Sequence, residues 1–351
     1  MPSPATQRFI AQKLLSLPAP ILRLMSGGGV VYQGGRTLDP RFQFLAAQAR
    51  NAPPMQLLTP ADARAASDGS LVMVSGEPEP GVRWDEISIP GPGGVIPARA
   101  YRPASQDAAA PLLVFAHMGG GVIGSLETSH VFCTILAKCA RSAVLSVDYR
   151  LAPEHRAPAA LEDCLAVTRA ARDAVRWPFD SCARPLTLAG DSAGGNLAAA
   201  VATALRDAGE GGIDGIALVY PMLGIEPQSP ARETEARAPM LTLDDVHRYR
   251  VLYWGDADET ALNDDPLLRA SVPLAASRFD GLPPVLAIGA EHDPLRDDAR
   301  VYVERILAAG GAARYWRGEG LVHGCWRALG TSPQAARMHR MIGGFLLAPH
   351  A

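Results

Sequence analysis

The sequence predicts an α/β protein, with a mostly parallel central sheet flanked by helices on both faces. Three observations carry this. Runs such as PLLVFAH, PLTLAGD and PPVLAIGAE are continuously apolar over strand length, as strands buried on both faces must be. Helix-length segments alternate with them, the pattern of parallel crossovers. The 351 residues, 48% of them hydrophobic, suffice for a large core.

The first 80 residues read differently from the rest. RFIAQKLLSLPAPILRLM is helical in pattern but broken by Pro18 and Pro20, and SGGG follows as a link. LDPRFQFLAAQARNAPP and LTPADARAAS read as short helices, opened by Asp or Thr with Pro in the first turn. The apolar start suits a membrane-surface helix or a segment folded over a groove of its own protein; the second is the favoured reading. From Trp84, RWDEISIPG and VIPARAYRP flank the turn PGPGG as a hairpin. PLLVFAH and SAVLSVDYR are strands, APAALEDCLAVTRAARDAV a helix, and PLTLAGD a strand. GGNLAAAVATALRDAG is a helix, GIALVYP and PPVLAIGAE are strands, LRDDARVYVERILAAG is a helix, and ARYWRGE is the last strand. Between Met222 and Arg278 the alternation lapses, as in an insertion above the sheet. The expected division is a helical segment over 1–80, the main α/β domain over 81–221 and 279–351, and the insertion over 222–278.

Net charge is −3, and all basic residues but Lys13 and Lys138 are arginine, which gives no nucleic-acid footprint. No apolar run reaches bilayer length. Cys133, Cys139, Cys164, Cys182 and Cys325 lack paired spacing, and MPSPATQRFIAQKLL, with no clean apolar core followed by a small-residue cleavage site, is not expected to act as a secretory leader. Reduced core thiols in a cytoplasm, and no zinc site, are expected.

The sharpest local signal is LTLAGDSAGGNLAAA, where Gly190-Asp191-Ser192-Ala193-Gly194 fits G-x-S-x-G between a strand and a small-residue helix. Such a turn projects the serine hydroxyl above the sheet, and its glycines let strand and helix close up. A phosphate-binding turn would carry G-x-G-x-x-G or a following Lys, and neither occurs. A serine needs a base. Of the eight histidines, His323 in GEGLVHGCW follows the final strand, whereas His339 and His350 read as solvated surface residues. Asp293 in EHDPLRDDA follows PPVLAIGA directly and is the first choice of acid. Glu291 ranks second, and Asp297 and Asp298 suit a helix N-terminus. The three glycines after His117 fit a loop whose backbone N–H groups bind the oxyanion.

HMGGGVIGSLET, SVDYRLAPEH, GDSAGGN, EHDPLRD and HG, in this order, make the chain similar to the hormone-sensitive-lipase family of α/β-hydrolases, its bacterial esterase branch, from about Leu38 onward. The resemblance implies the α/β-hydrolase fold and carboxylic-ester hydrolysis without metal or organic cofactor. Ser192, Asp293 and His323 would be the triad, and Gly119, Gly120 and Ala193 the oxyanion hole. It also implies a helical cap from the N-terminal segment and the insertion, small esters of short to medium acyl chain as substrates, and a homodimer. The family has a glycine at Met118 and an aromatic residue at Gly121, so a cleft widened at Gly121 is expected. Met118, Gly121 and Asp191 are placed on the substrate pocket. His117 would shape the loop by hydrogen bonding, and Asp148, Arg150 and Glu154 would form a buried charged network. Whether Glu127 and His130 lie near the site is left open by the sequence. A ligand-binding protein on this scaffold is disfavoured by the presence of His323; acyl transfer and amide cleavage share the same motifs.

Overall fold

A computed structural model describes residues 4–28, 32–33, 35–49, 53–54, 57–106, 110–172, 185–224, 229–256, 259–328 and 332–349. Cys182 and His350 lie outside them. The chain opens with α1 (Pro4–Leu15), α2 (Ala19–Met25), the ribbon β1 (Tyr32–Gln33) and β2 (Arg36–Thr37), α3 (Pro40–Ala49) and α4 (Pro60–Ser75). The predicted caps are in place. Thr59 accepts from the Asp62 N–H ahead of Pro60, and the Asp39 carboxylate accepts from the Arg41 N–H. Leu15, Leu22 and Phe44 form a small core joining α1–α3.

The hairpin β3 (Val82–Gly91) and β4 (Gly94–Pro103) follows, antiparallel, with Gly91 opposite Gly94. The alternation then runs β5 (Leu112–Ala116), α5 (Leu126–Ala140), β6 (Val144–Val147), α6 (Ala159–Arg172), β7 (Leu186–Asp191), α7 (Ala193–Asp207) and β8 (Gly215–Val219). Among the described residues the insertion carries the α-helices α8 (Pro230–Thr234), α9 (Leu243–Trp254), α10 (Glu259–Asp264) and α11 (Pro266–Ala270), and a 3-10 turn at Pro273–Ala275. β9 (Val285–His292), α12 (Arg296–Ala308), β10 (Ala313–Val322) and α13 (Pro333–Leu347) complete the chain.

Among the described residues the main sheet has eight strands, in the order β10-β9-β8-β7-β5-β6-β4-β3. β10 through β6 pair in parallel; β4 pairs antiparallel with β6 and β3 antiparallel with β4, so that among these strands β4 alone is reversed. Successive side chains of a strand point to opposite faces, and both faces are covered. Leu113 and Phe115 pack with Phe132 and Leu136 of α5 and Met338 and Ile342 of α13. Leu112 and Val114 pack in the core that holds Leu161 of α6, Leu197 of α7 and Tyr302 of α12. This burial on both sides is why the inner strands read as unbroken apolar runs. The parallel strands therefore end together at one edge, where the loops after β5, β7, β8, β9 and β10 meet.

Two readings of the sequence need correction. His339 is buried, not solvated: its ring lies 5.1 Å from that of Trp326 and 5.3 Å from that of Phe132. Asp148, Arg150 and Glu154 do not form one network. Arg150 binds Asp163 and Glu162, whereas Glu154 binds Arg64 on α4.

Candidate active site

Ser192 sits between β7 and α7 with φ 57° and ψ −118°, a conformation that a non-glycine residue adopts only at an energetic cost. The glycines on either side explain how the turn closes. A Cβ on Gly190 would collide with the Gly194 carbonyl, and one on Gly194 with the Ala116 and His117 carbonyls of β5 and its loop. Strand, helix and neighbouring strand thus approach with nothing but hydrogen between them. The hydroxyl is left at the sheet edge, and the first N–H groups of α7 point out of the helix end beside it.

His323 follows β10, and its Nε2 lies 2.9 Å from the Ser192 Oγ. Its Nδ1 lies 2.8 Å from Oδ2 of Asp293, whose other oxygen accepts from the Leu295 N–H at 2.8 Å. Asp293 is fully buried, and Ser192 and His323 are each 6% exposed. The competing acids are engaged elsewhere. Glu291 accepts from the Gly320 N–H, Asp297 from Ser229 and Ala231, and Asp298 from Leu223, Gly224 and Arg232. Burial pushes the Asp298 carboxyl up to about 6.

In the loop after β5 all three glycines have positive φ: Gly119 at 128°, Gly120 at 62° and Gly121 at 72°. A Cβ on Gly119 would strike the Ile123 carbonyl, one on Gly120 the ring of Tyr249, and one on Gly121 the ring of Tyr253. Two tyrosines of α9 thus lie directly against the bare backbone of this loop. This corrects the expectation at Gly121. The space beside that residue is filled by the Tyr253 ring, so the missing aromatic side chain does not widen the cleft. His117 anchors the loop: its Nδ1 lies 2.8 Å from the Met118 carbonyl, and its ring stacks on Tyr149 at 4.1 Å. Burial pulls its pKa down to about 4, which keeps the ring neutral and leaves it a fixed hydrogen-bonding strut.

Residues 113–327 match the family defined by the alpha/beta hydrolase fold. The chain belongs to the alpha/beta hydrolase family, in its hormone-sensitive-lipase-like branch. Over 314 residues this alpha/beta hydrolase is 37% identical to carboxylic ester hydrolase LipN of Mycobacterium tuberculosis, a match covering 88% of this chain and 82% of the relative. Among solved structures, ester-hydrolase EH1AB1 from the metagenome of Lake Arreo superposes with a TM-score of 0.80 at 32% identity, covering 95% of this chain and 98% of the other. The hyperthermophilic esterase from Pyrobaculum calidifontis does so with a TM-score of 0.76 at 32% identity, covering 88% and 96%.

In this alpha/beta hydrolase the Asp191 carboxylate faces away from a pocket role, and this corrects its placement on the pocket wall. It is fully buried and held by Arg327, whose Nη2 and Nε approach at 2.6 and 2.8 Å, and by the Tyr220 hydroxyl at 3.2 Å. Met118 is half-buried at the head of the loop. Glu127 and His130 join Arg99, together with Glu86, alongside the β3–β4 hairpin. The sequence reading missed Tyr249, Tyr253, Tyr220 and Arg327. No local motif marks them, because each acts through a contact that only the fold creates. Among the described residues no group of three or more His, Cys, Asp and Glu is arranged to hold a metal ion, and no helix is long and apolar enough to cross a membrane.

Proposed function

We propose that this carboxylesterase-type hydrolase is a serine esterase that works through an acyl-enzyme. The observation that carries the reading is the unbroken relay from Ser192 Oγ through His323 to Asp293, with both steps under 3 Å. Ser192 attacks the ester carbonyl while His323 takes its proton, and Asp293 holds the ring and stabilises the imidazolium. The oxyanion is received by the N–H groups of Gly119, Gly120 and Ala193, the last at the positive end of α7. The imidazolium then protonates the departing alcohol. Water, activated by the same histidine, attacks the acyl-serine and releases the acid, restoring the hydroxyl.

The helices of 1–80 and 222–278 act as a cap over this edge of the catalytic domain formed by 81–221 and 279–351. Two contacts support this. Arg64 of α4 donates to the carbonyls of Val122 and Ala152, and Tyr249 of α9 lies against Gly120. Between them Leu58, Pro60, Ala63, Val122, Tyr249 and Leu252, with Asp245 and Arg248, line a small crevice at the seam of α4 and α9; short or medium acyl chains are the substrates that the family resemblance implies. The same reading has the protein cytoplasmic and homodimeric; the free thiols of Cys133, Cys139, Cys164 and Cys325 support a reducing compartment. The test is hydrolysis of p-nitrophenyl butyrate by the Ser192→Ala and His323→Ala variants. Each is expected to lose on the order of 10^4-fold or more in kcat, and a variant within tenfold of wild type would overturn the mechanism.

A further inference from the structure

We infer that Arg327, with Asp191 as its counter-ion, is a positioning residue for the reaction: it locks the turn carrying Ser192 to the loop carrying His323. The inference rests on the serine-esterase reading above. Asp191 immediately precedes Ser192, and Arg327 follows His323 by four residues. Both are buried, and the guanidinium fork grips the carboxylate at 2.6 and 2.8 Å. Its Nη1 donates to the Thr128 carbonyl and the Ser129 hydroxyl on α5, both at 3.1 Å, and its Cζ lies 4.4 Å from the Phe132 ring centre. One side chain thus ties together the nucleophile turn, the histidine loop and a helix on the face of the sheet.

A buried ion pair is a weak device for stability and is better understood as one that fixes geometry. Here the second consequence is electrostatic. His323 is contacted by the Asp293 carboxylate, the Ser192 hydroxyl and Tyr220, whose ring centre lies 4.7 Å from that of His323. Tyr220 has φ 34°, an uncommon left-handed value for a bulky residue, and donates its hydroxyl to Asp191. It therefore connects the ion pair to the imidazole. With Arg327 in place the pair has no net charge. Without one partner, an uncancelled charge would sit close to the ring that must gain and lose a proton.

The experiment compares Asp191→Asn, Arg327→Lys and the double variant Asp191→Asn/Arg327→Gln in the full chain, with folding followed by thermal melting. Asp191→Asn keeps the shape and leaves an uncancelled cation. Its kcat should fall about tenfold or more with KM within about threefold, and the acid limb of the kcat/KM profile should move down by about half a pH unit. Arg327→Lys keeps the charge but loses the fork, so kcat should fall while the limb stays. The double variant removes both charges; it should keep the limb and still lose kcat. A folded Asp191→Asn protein with wild-type kcat and an unmoved limb overturns the inference. If that variant does not fold, wild-type kcat in the double variant or in Arg327→Lys overturns it. Labelling of the wild type by a fluorophosphonate separates the two claims: no adduct on Ser192 sinks the esterase reading itself, whatever the variants do.

Discussion

Replacing His339 by leucine should make the protein less sensitive to acid. Neither ring nitrogen has a hydrogen-bond partner among the described residues, and the ring is packed against Phe132 and Trp326 with Arg327 nearby. Burial first, and then the Arg327 charge, pulls its pKa down to about 3. An unfolded chain binds that proton near pH 6.5. Between those values unfolding takes up a proton, so stability is lost as pH falls below about 6.5. At pH 5 the gap from the unfolded value is about 1.5 units, which at 1.36 kcal/mol per unit gives about 2 kcal/mol. His117, held at about 4, adds loss in the same direction. Asp298, raised to about 6, keeps its proton when folded and so gains stability as pH falls. Both are common to wild type and variant, so only the His339 share separates the two proteins. At pH 7 the gain from removing two unpartnered nitrogens, about 1–3 kcal/mol, is set against lost ring packing of about 0.5–1.5 kcal/mol. Urea unfolding followed by tryptophan fluorescence at pH 7 and pH 5 reads the difference. The expected result is a fall in stability between the two pH values that is about 2 kcal/mol smaller in His339→Leu. Equal losses in both proteins would refute the reasoning.

Gly121→Trp should fail as a cleft-narrowing variant. Its side chain meets the Tyr253 ring at a residue with φ 72°, so overpacking and backbone strain together should cost about 2–5 kcal/mol in urea unfolding; an unchanged midpoint contradicts this. Among the described cysteines, Cys139 is exposed, whereas Cys133, Cys164 and Cys325 are buried, with thiols pushed up by burial. Iodoacetamide should therefore modify Cys139 first in the native protein and reach Cys325 only on unfolding. Rapid native alkylation of Cys325, read by peptide mass spectrometry, would contradict this.

The sheet was legible because strands buried on both faces must be apolar throughout, and the nucleophile turn because its glycines answer to close backbone approach. The helix Leu126–Ala140 was missed: LETSHVFCTILAKCA mixes β-branched residues and cysteines and lacks a clean period, although Ser125 and Thr128 form a capping box. His339 could have been found. The buried positions Ala335, Met338, His339, Ile342, Phe345 and Leu346 trace one helical face, and the histidine falls on it. The rings over Gly120 and Gly121 and the Asp191–Arg327 pair could not be read. Tyr249 lies 129 residues from Gly120, and the ion pair spans 136, distances across which no local pattern specifies a partner.

The most direct measurement is the site of covalent capture. After brief exposure to a fluorophosphonate, digestion and mass spectrometry should place one adduct on the peptide containing Ser192, formed far more slowly when His323 is replaced by alanine. Continued ester hydrolysis with that peptide unmodified, or with the adduct on another residue, would contradict the account.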